Sequence, residues 1–155
     1  MNTKQVTILR GPSGSGKSTY AKNLDDVRIV SADDFFMKRN PETNALEYQF
    51  DPTKLARAHN DCFRRFLIHL QQEVKHVVVD NTNIHAWEYD NYREVAAMMG
   101  YRVEIVIFQP TTLKEIKLCI RRTTHRVPAE IIMRMGLEFE IHDTPAEVTH
   151  MPISD

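Results

Sequence analysis

At 155 residues, with 42% hydrophobic and 26% charged residues and neither a low-complexity block nor an internal repeat, the chain has the make-up of one globular domain spanning 1–155 rather than a disordered or fibrous segment. A formal net charge of −1 and a pI near 6.7 exclude a surface that is basic throughout, so any contact with nucleic acid must come from a local patch. Cys62 and Cys119, far apart in the chain, make neither a disulfide framework nor a metal set and fit a reduced cytoplasmic setting, and no apolar run approaches the roughly 18 residues of a membrane span.

The opening segment, "MNTKQVTILRG", has too short an apolar run for a signal peptide, and within it Val6 to Leu9 reads as a strand. It leads into "GPSGSGKS", Gly11 to Ser18, a full match to Gly-x-x-x-x-Gly-Lys-[Ser/Thr], with a helix expected from about Lys17. Gly11, Gly14 and Gly16 let the backbone fold into a nest. Its N–H groups, those of Ser13 and Ser15 included, then point at phosphate oxygens, and the helix adds its positive end. Lys17 is expected to reach the β- and γ-phosphates, Ser18 to ligate Mg²⁺, and Thr19 to touch an α-phosphate oxygen. The motif predicts binding of ATP, or of another nucleoside triphosphate, with Mg²⁺.

A second strand, Val27 to Val30, ends at "SADDFF". A kinase must hold an acceptor hydroxyl in line with the γ-phosphorus, and a carboxylate that accepts its proton suits a strand end beside a phosphate cradle. Neighbouring residues there point in different directions. One aspartate of Asp33 and Asp34 is therefore expected to face the site while the other caps the next turn, and position alone leaves open which.

A helix opens at "FDPTKL", with Asp51 as N-cap and Pro52 at the first helical position, and carries Leu55, Ala58, Cys62, Phe63, Phe66, Leu67 and Leu70 on one face. The third strand, His76 to Val79, ends in "DNTN". An apolar run closed by Asp80 has the form of a Walker B element, whose carboxylate holds Mg²⁺ directly or through its water. Asn81 and Asn83, with Thr82 between them, either orient an acceptor or close an Asx turn.

A helix over His85 to Met99 is expected to end at Gly100, and Val103 to Phe108 reads as the fourth strand. Thr112 and Glu115 form a capping box for a helix to about Arg122, and Pro128 opens another through Ile131, Ile132, Met135 and Phe139. The tail after Ile141 has little pattern beyond a short strand near Val148. From Lys114 to Arg134 there are six Lys or Arg against two Glu, a basic concentration in a slightly acidic chain. Arg122 and Arg126 bracket "RTTHR", where a lid could close over the triphosphate and bring guanidinium groups to the charge that develops in transfer.

Apolar runs that are continuous rather than alternating belong to strands buried on both faces, and strands alternating with helices give an α/β fold. The expected architecture is a P-loop NTPase three-layer sandwich with a mainly parallel sheet of four to five strands and an Arg-bearing helical lid. Its ligands sit at the carboxyl ends of the strands, where the three motifs fall.

Taken in order, "LRGPSGSGKST", "SADDFF", "YQFDPTKLARAH", "VVVDNTN", "GYRVEIV" and "RRTTHRVPAEII" resemble the P-loop polynucleotide kinases of the bacteriophage type and their short ATPase relatives, from Val6 to about Phe139. The resemblance implies that Lys17 and Ser18 hold the ATP phosphates and metal, that Asp33 is the general base with Asp34 as its support, and that Arg122 and Arg126 belong to the lid. It sets Asn81 where those kinases carry an acceptor-side aspartate. Where they carry an arginine three residues past the catalytic aspartate, this chain has Phe36. Lys38 and Arg39 could replace that arginine, or Phe35 and Phe36 could stack on a base, if they are not packed in the core. The implied activity is transfer of the γ-phosphate to a hydroxyl of a nucleic acid, the 5′-OH of DNA or RNA. The alternatives are a nucleoside, another small alcohol or a hydroxymethylated base as acceptor, or an ATPase module with no acceptor.

Overall fold

The structure, a computed structural model, describes residues 3–123, 127–141 and 147–154. The elements are β1 (Gln5–Arg10), α1 (Lys17–Lys22), β2 (Arg28–Val30), β3 (Met37–Arg39), β4 (Leu46–Tyr48), α2 (Leu55–Gln71), β5 (His76–Asp80), α3 (Ala86–Met98), β6 (Arg102–Ile107), α4 (Leu113–Arg122), α5 (Ala129–Leu137) and β7 (Val148–His150). The four expected strands form with no end shifted by more than one residue, and the short strand near Val148 forms as well. Their sheet has five strands in the order β2-β5-β1-β6-β7, with every neighbouring pair parallel.

Both faces of the inner part of this sheet are covered, which is why its strands carry continuous apolar runs such as Val77 to Val79. On one face Val6, Ile8, Val77, Val79, Ile105 and Ile107 meet Ala58, Cys62, Phe66 and Leu70 of α2 and Tyr89, Tyr92 and Ala96 of α3. On the other, Leu9, Val78 and Val106 meet Ala21 of α1, Leu118 and Cys119 of α4, and Ile132 of α5. The strict alternation along each strand sends successive side chains to opposite layers. Among the described residues no helix is long and apolar enough to cross a membrane.

Four local features differ from the sequence expectations. A turn of 3-10 helix, Pro52–Lys54, precedes α2, and Asp51 caps that turn, with its Oδ1 accepting from Thr53 N at 3.0 Å. The capping box at α4 is half made: Thr112 Oγ1 accepts from Glu115 N at 3.2 Å, but the Glu115 carboxylate accepts from Thr111 N, one residue early. Helix α5 stops at Leu137, short of Phe139. The antiparallel hairpin of β3 and β4 has no counterpart in the sequence reading, because its strands are three residues long and largely exposed, leaving no apolar run to mark them.

"SADDFF" folds as a 3-10 turn, Ala32–Phe36, whose N-cap is Ser31 rather than either aspartate; Ser31 Oγ accepts from Asp33 N at 3.2 Å. The turn ends with Phe36 driven into the core at 2% exposure, edge-on to Phe35 (5.4 Å), Tyr48 (6.0 Å) and Phe50 (5.1 Å). Phe36→Ala should therefore cost about 3–5 kcal/mol, read as a lower midpoint in denaturant unfolding. A tight approach of different origin occurs at Gly14, where φ is +78° and a Cβ would stand 2.0 Å from the Cys119 carbonyl oxygen of α4. Gly14→Ala combines backbone strain with that clash, and a loss of about 1–3 kcal/mol should appear as a lower Tm.

Candidate functional site

The carboxyl ends of β1, β2 and β5 open into one cleft of about 710 Å³. Its walls include the loop from Ser13 to Thr19, Asp33, the Asp80–Thr82 segment and Arg122. Two ties hold the glycine loop at its root. Gly11 N donates to Thr82 O at 2.8 Å, and the Asn83 amide donates to Leu9 O at 2.8 Å. Gly11 itself does not line the cleft; a Cβ there would stand 2.5 Å from the Phe108 carbonyl oxygen, so its part is close packing beneath the loop.

Gly14 and Gly16 take left-handed φ values of +78° and +106°, which turn the loop around the cleft. The Ser15 hydroxyl, buried in this wall, has no hydrogen-bond partner among the described residues, so a buried polar atom stands ready for a ligand oxygen. Lys17 is 7% exposed and its Nζ donates to Pro12 O at 2.9 Å. Burial pushes its ammonium below the ordinary lysine range, against the opposing pull of Asp80 and Asp33. A polyanion entering the cleft would complete the compensation of that buried charge. Helix α1 is only six residues long, so what it offers is the free N–H groups of its first turn rather than a long macrodipole.

At the helical end of the loop, Ser18 Oγ donates to Asp80 Oδ2 at 2.8 Å. A hydroxyl and a carboxylate side by side are hard oxygen donors of the kind Mg²⁺ takes, with its remaining positions left to phosphate oxygens and water. The donor set therefore fits the metal expected of a P-loop.

The two aspartates separate as their directions require. Asp33 faces the cleft, and its Oδ1 accepts from the Tyr48 hydroxyl at 3.0 Å. Asp34 turns away to α2, where its Oδ2 pairs with Arg65 Nη1 at 3.2 Å. Arg65 also donates to Ser31 O at 2.8 Å and to Asp61, which holds the turn against the helix. Asp34 thus braces the turn against α2 and does not line the cleft.

Several other residues expected at the site are engaged in contacts within the protein. Phe36 is buried and offers no face to a base. Arg39 lies on the hairpin, with Nη1 donating to Asn44 O at 2.6 Å, and does not line the cleft. Asn83 is 2% exposed, sits at φ +48° and is spent on the root of the loop. Asn81 reaches the cleft wall, but its Oδ1 accepts from Ala32 N at 2.8 Å, tying the end of β5 to the turn that bears Asp33.

Arg122 does line the cleft, docked rather than poised above it: Nε and Nη2 both donate to Gly14 O at 3.1 Å, and Nη1 donates to Ser154 O. Arg126 lies outside the described residues. Sequence reasoning missed the tail, for Met151, Pro152 and Ser154 line the cleft beyond β7. It also missed Phe108, which meets Tyr20 edge-on at 5.7 Å under the loop. A three-residue strand carries too little pattern to announce its return to the site. Tyr48, at the head of "YQFDPTKLARAH", carries no local signal of its own.

Comparison with known proteins agrees with this geometry. The profile of the AAA domain family matches residues 6–141. The human NEDD4-binding protein 2 is 32% identical over 136 residues, covering 84% of this chain and 7% of that protein. The "Putative bifunctional polynucleotide kinase/RNA ligase" of Autographa californica nuclear polyhedrosis virus is 31% identical over 108 residues, covering 64% of this chain and 15% of that one. The chain thus spans less than a sixth of the length of either relative. Among solved structures, a sugar kinase from Janibacter sp. superposes with a TM-score of 0.64 at 17% identity over 97% of this chain and 86% of that one, a likeness of fold. With a glycine-rich P-loop on a parallel sheet and a family match over most of its length, this chain belongs to the AAA domain family, and its fold is like that of the Janibacter protein.

Proposed function

We propose that the chain is an ATP- and Mg²⁺-dependent kinase that transfers the γ-phosphate to a hydroxyl of a nucleic acid, the 5′-OH of DNA or RNA. The observation that carries this reading is Asp33, which faces the same cleft as Lys17 and Asp80 while Asp34 does not. A nucleotide-binding module without an acceptor has no use for a carboxylate there. Asp33 takes the proton of the acceptor hydroxyl as that oxygen bonds to the γ-phosphorus. The bond to the β,γ-bridging oxygen breaks, and ADP carries the electron pair away. Lys17 and the loop N–H groups meet the charge on the phosphates, Ser15 and Thr19 add hydroxyls, and Arg122 offers a guanidinium at the cleft wall, while Arg126 is assigned a second one by the sequence pattern and the family resemblance alone. Ser18 and Asp80 would hold Mg²⁺, which neutralises phosphate charge. The name of the viral relative supports a polynucleotide acceptor. The two cysteines, buried and unpaired, suit a cytoplasmic protein, and we take 1–155 as a single domain.

A second reading keeps the kinase and changes the acceptor to a nucleoside, another small alcohol or a hydroxymethylated base. It is favoured by the packing of Phe36 in the core, at the position where the resembling kinases carry a phosphate-gripping arginine. Gamma-labelled ATP offered with single- and double-stranded 5′-OH DNA and RNA, nucleosides and hydroxymethylated DNA separates the two. Label on oligonucleotide ends is expected; label on nucleosides alone would favour the second, and label on no alcohol would overturn both.

In the same assay Asp33→Asn should lower transfer by about 10²–10⁴-fold while equilibrium binding of ATP stays nearly unchanged. Lys17→Ala should lower it by about 10²-fold or more through lost charge stabilisation, with weaker ATP binding as well.

A further inference from the structure

The β3–β4 hairpin takes no part in the reaction as described, yet it delivers a hydroxyl to the proposed base. Tyr48, the last residue of β4, donates to Asp33 Oδ1 at 3.0 Å. Its ring lies edge-on to Phe36 at 6.0 Å and parallel to Phe50 at 6.3 Å. Just beyond it, Gln49 N donates to Phe36 O at 2.8 Å. Phe36 belongs to the same 3-10 turn as Asp33. The carboxylate and the phenol that holds it are therefore mounted on one buried ring, and the distance between them is set by core packing rather than by two independent loops.

A carboxylate beside a strand end can rotate about its terminal bond, since torsions of this kind are broad. A donor fixed on one oxygen removes that freedom. Burial, followed by the charge of Asp33 and the hydrogen bond to it, raises the Tyr48 phenol above its ordinary range, so at neutral pH it keeps its proton and donates.

We propose that Tyr48 is a positioning residue for phosphoryl transfer: its hydroxyl engages Oδ1 of Asp33 and turns the carboxylate so that Oδ2 receives the acceptor proton. The hairpin then belongs to the acceptor half of the site, and Phe36 acts as the mount of that half rather than as a ligand contact. Tyr48 keeps its own proton throughout, and the proton released by the acceptor ends on Asp33 Oδ2 as the γ-phosphoryl group moves. This inference rests on the kinase reading above.

Tyr48→Phe removes the hydroxyl and keeps the ring on Phe36 and Phe50. With γ-labelled ATP and the best acceptor of the unaltered chain, kcat should fall about 10–100-fold, the cost of a displaced reacting group, while the KM for ATP and the Tm stay nearly unchanged. Introduced into Asp33→Asn, the same change should cost nothing further, because the two residues act as one unit. An unchanged kcat, or an equal loss in both backgrounds, would overturn the positioning role. A fall in Tm with a matching loss of ATP binding would overturn it too, by assigning Tyr48 to stability. Absence of transfer by the unaltered chain to any alcohol would instead remove the kinase reading, and this inference with it.

Discussion

A guanidinium with no access to water holds the end of the central strand. Arg10 is fully buried, and its Nε donates to Asn83 O at 2.8 Å while its Nη2 donates to Ile84 O at 3.0 Å and to the Glu140 carbonyl. Its plane lies over the rings of Tyr89 at 4.4 Å and Phe139 at 4.7 Å. A charge taken out of water is tolerable only when its donors are used and its faces meet aromatic rings, so the surrounding backbone has little latitude. The phosphate loop begins at the next residue. Because β1 is parallel to both its neighbours, the position of its carboxyl end fixes where the loop, the end of β5 and the segment around Glu140 can meet.

From that anchor the site is assembled by satisfying buried polar groups. Asn83 closes the root of the loop, Asn81 ties β5 to the turn after β2, and Arg65 braces the turn from α2 through Asp34 and the Ser31 carbonyl. None of these groups need touch a ligand. Each removes a freedom from one that lines the cleft, Asp33 above all. For Asn81 and Asn83, burial is what makes them effective, since a hydrogen bond lost inside the protein leaves its partner unsatisfied.

The sheet, its parallel sense and the helical layers were legible because burial on both faces leaves a strong mark: continuous runs such as "VVVD" and the repeat from Leu55 to Leu70. The phosphate loop was legible because glycines at fixed spacing have few other uses. The hairpin was not, since two strands of three residues, one exposed and the other only half-buried, leave no pattern, and with it the partner of Asp33 stayed hidden. The tail that reaches the cleft was hidden for a similar reason. Arg122 was picked out by charge, but its docking on the Gly14 carbonyl depends on how α4 lies against the loop.

By itself the sequence determined the class of fold, the phosphate cradle and the strand ends at which chemistry could occur, because periodicity and glycine spacing are local properties. Only the tertiary structure decided how the acidic pair and the asparagines divide their labour. Direction at a strand end depends on what the neighbouring element offers: Asp34 finds Arg65 on α2, Asp33 finds Tyr48 and the cleft, and Phe36 finds an apolar mount where the resembling kinases carry an arginine.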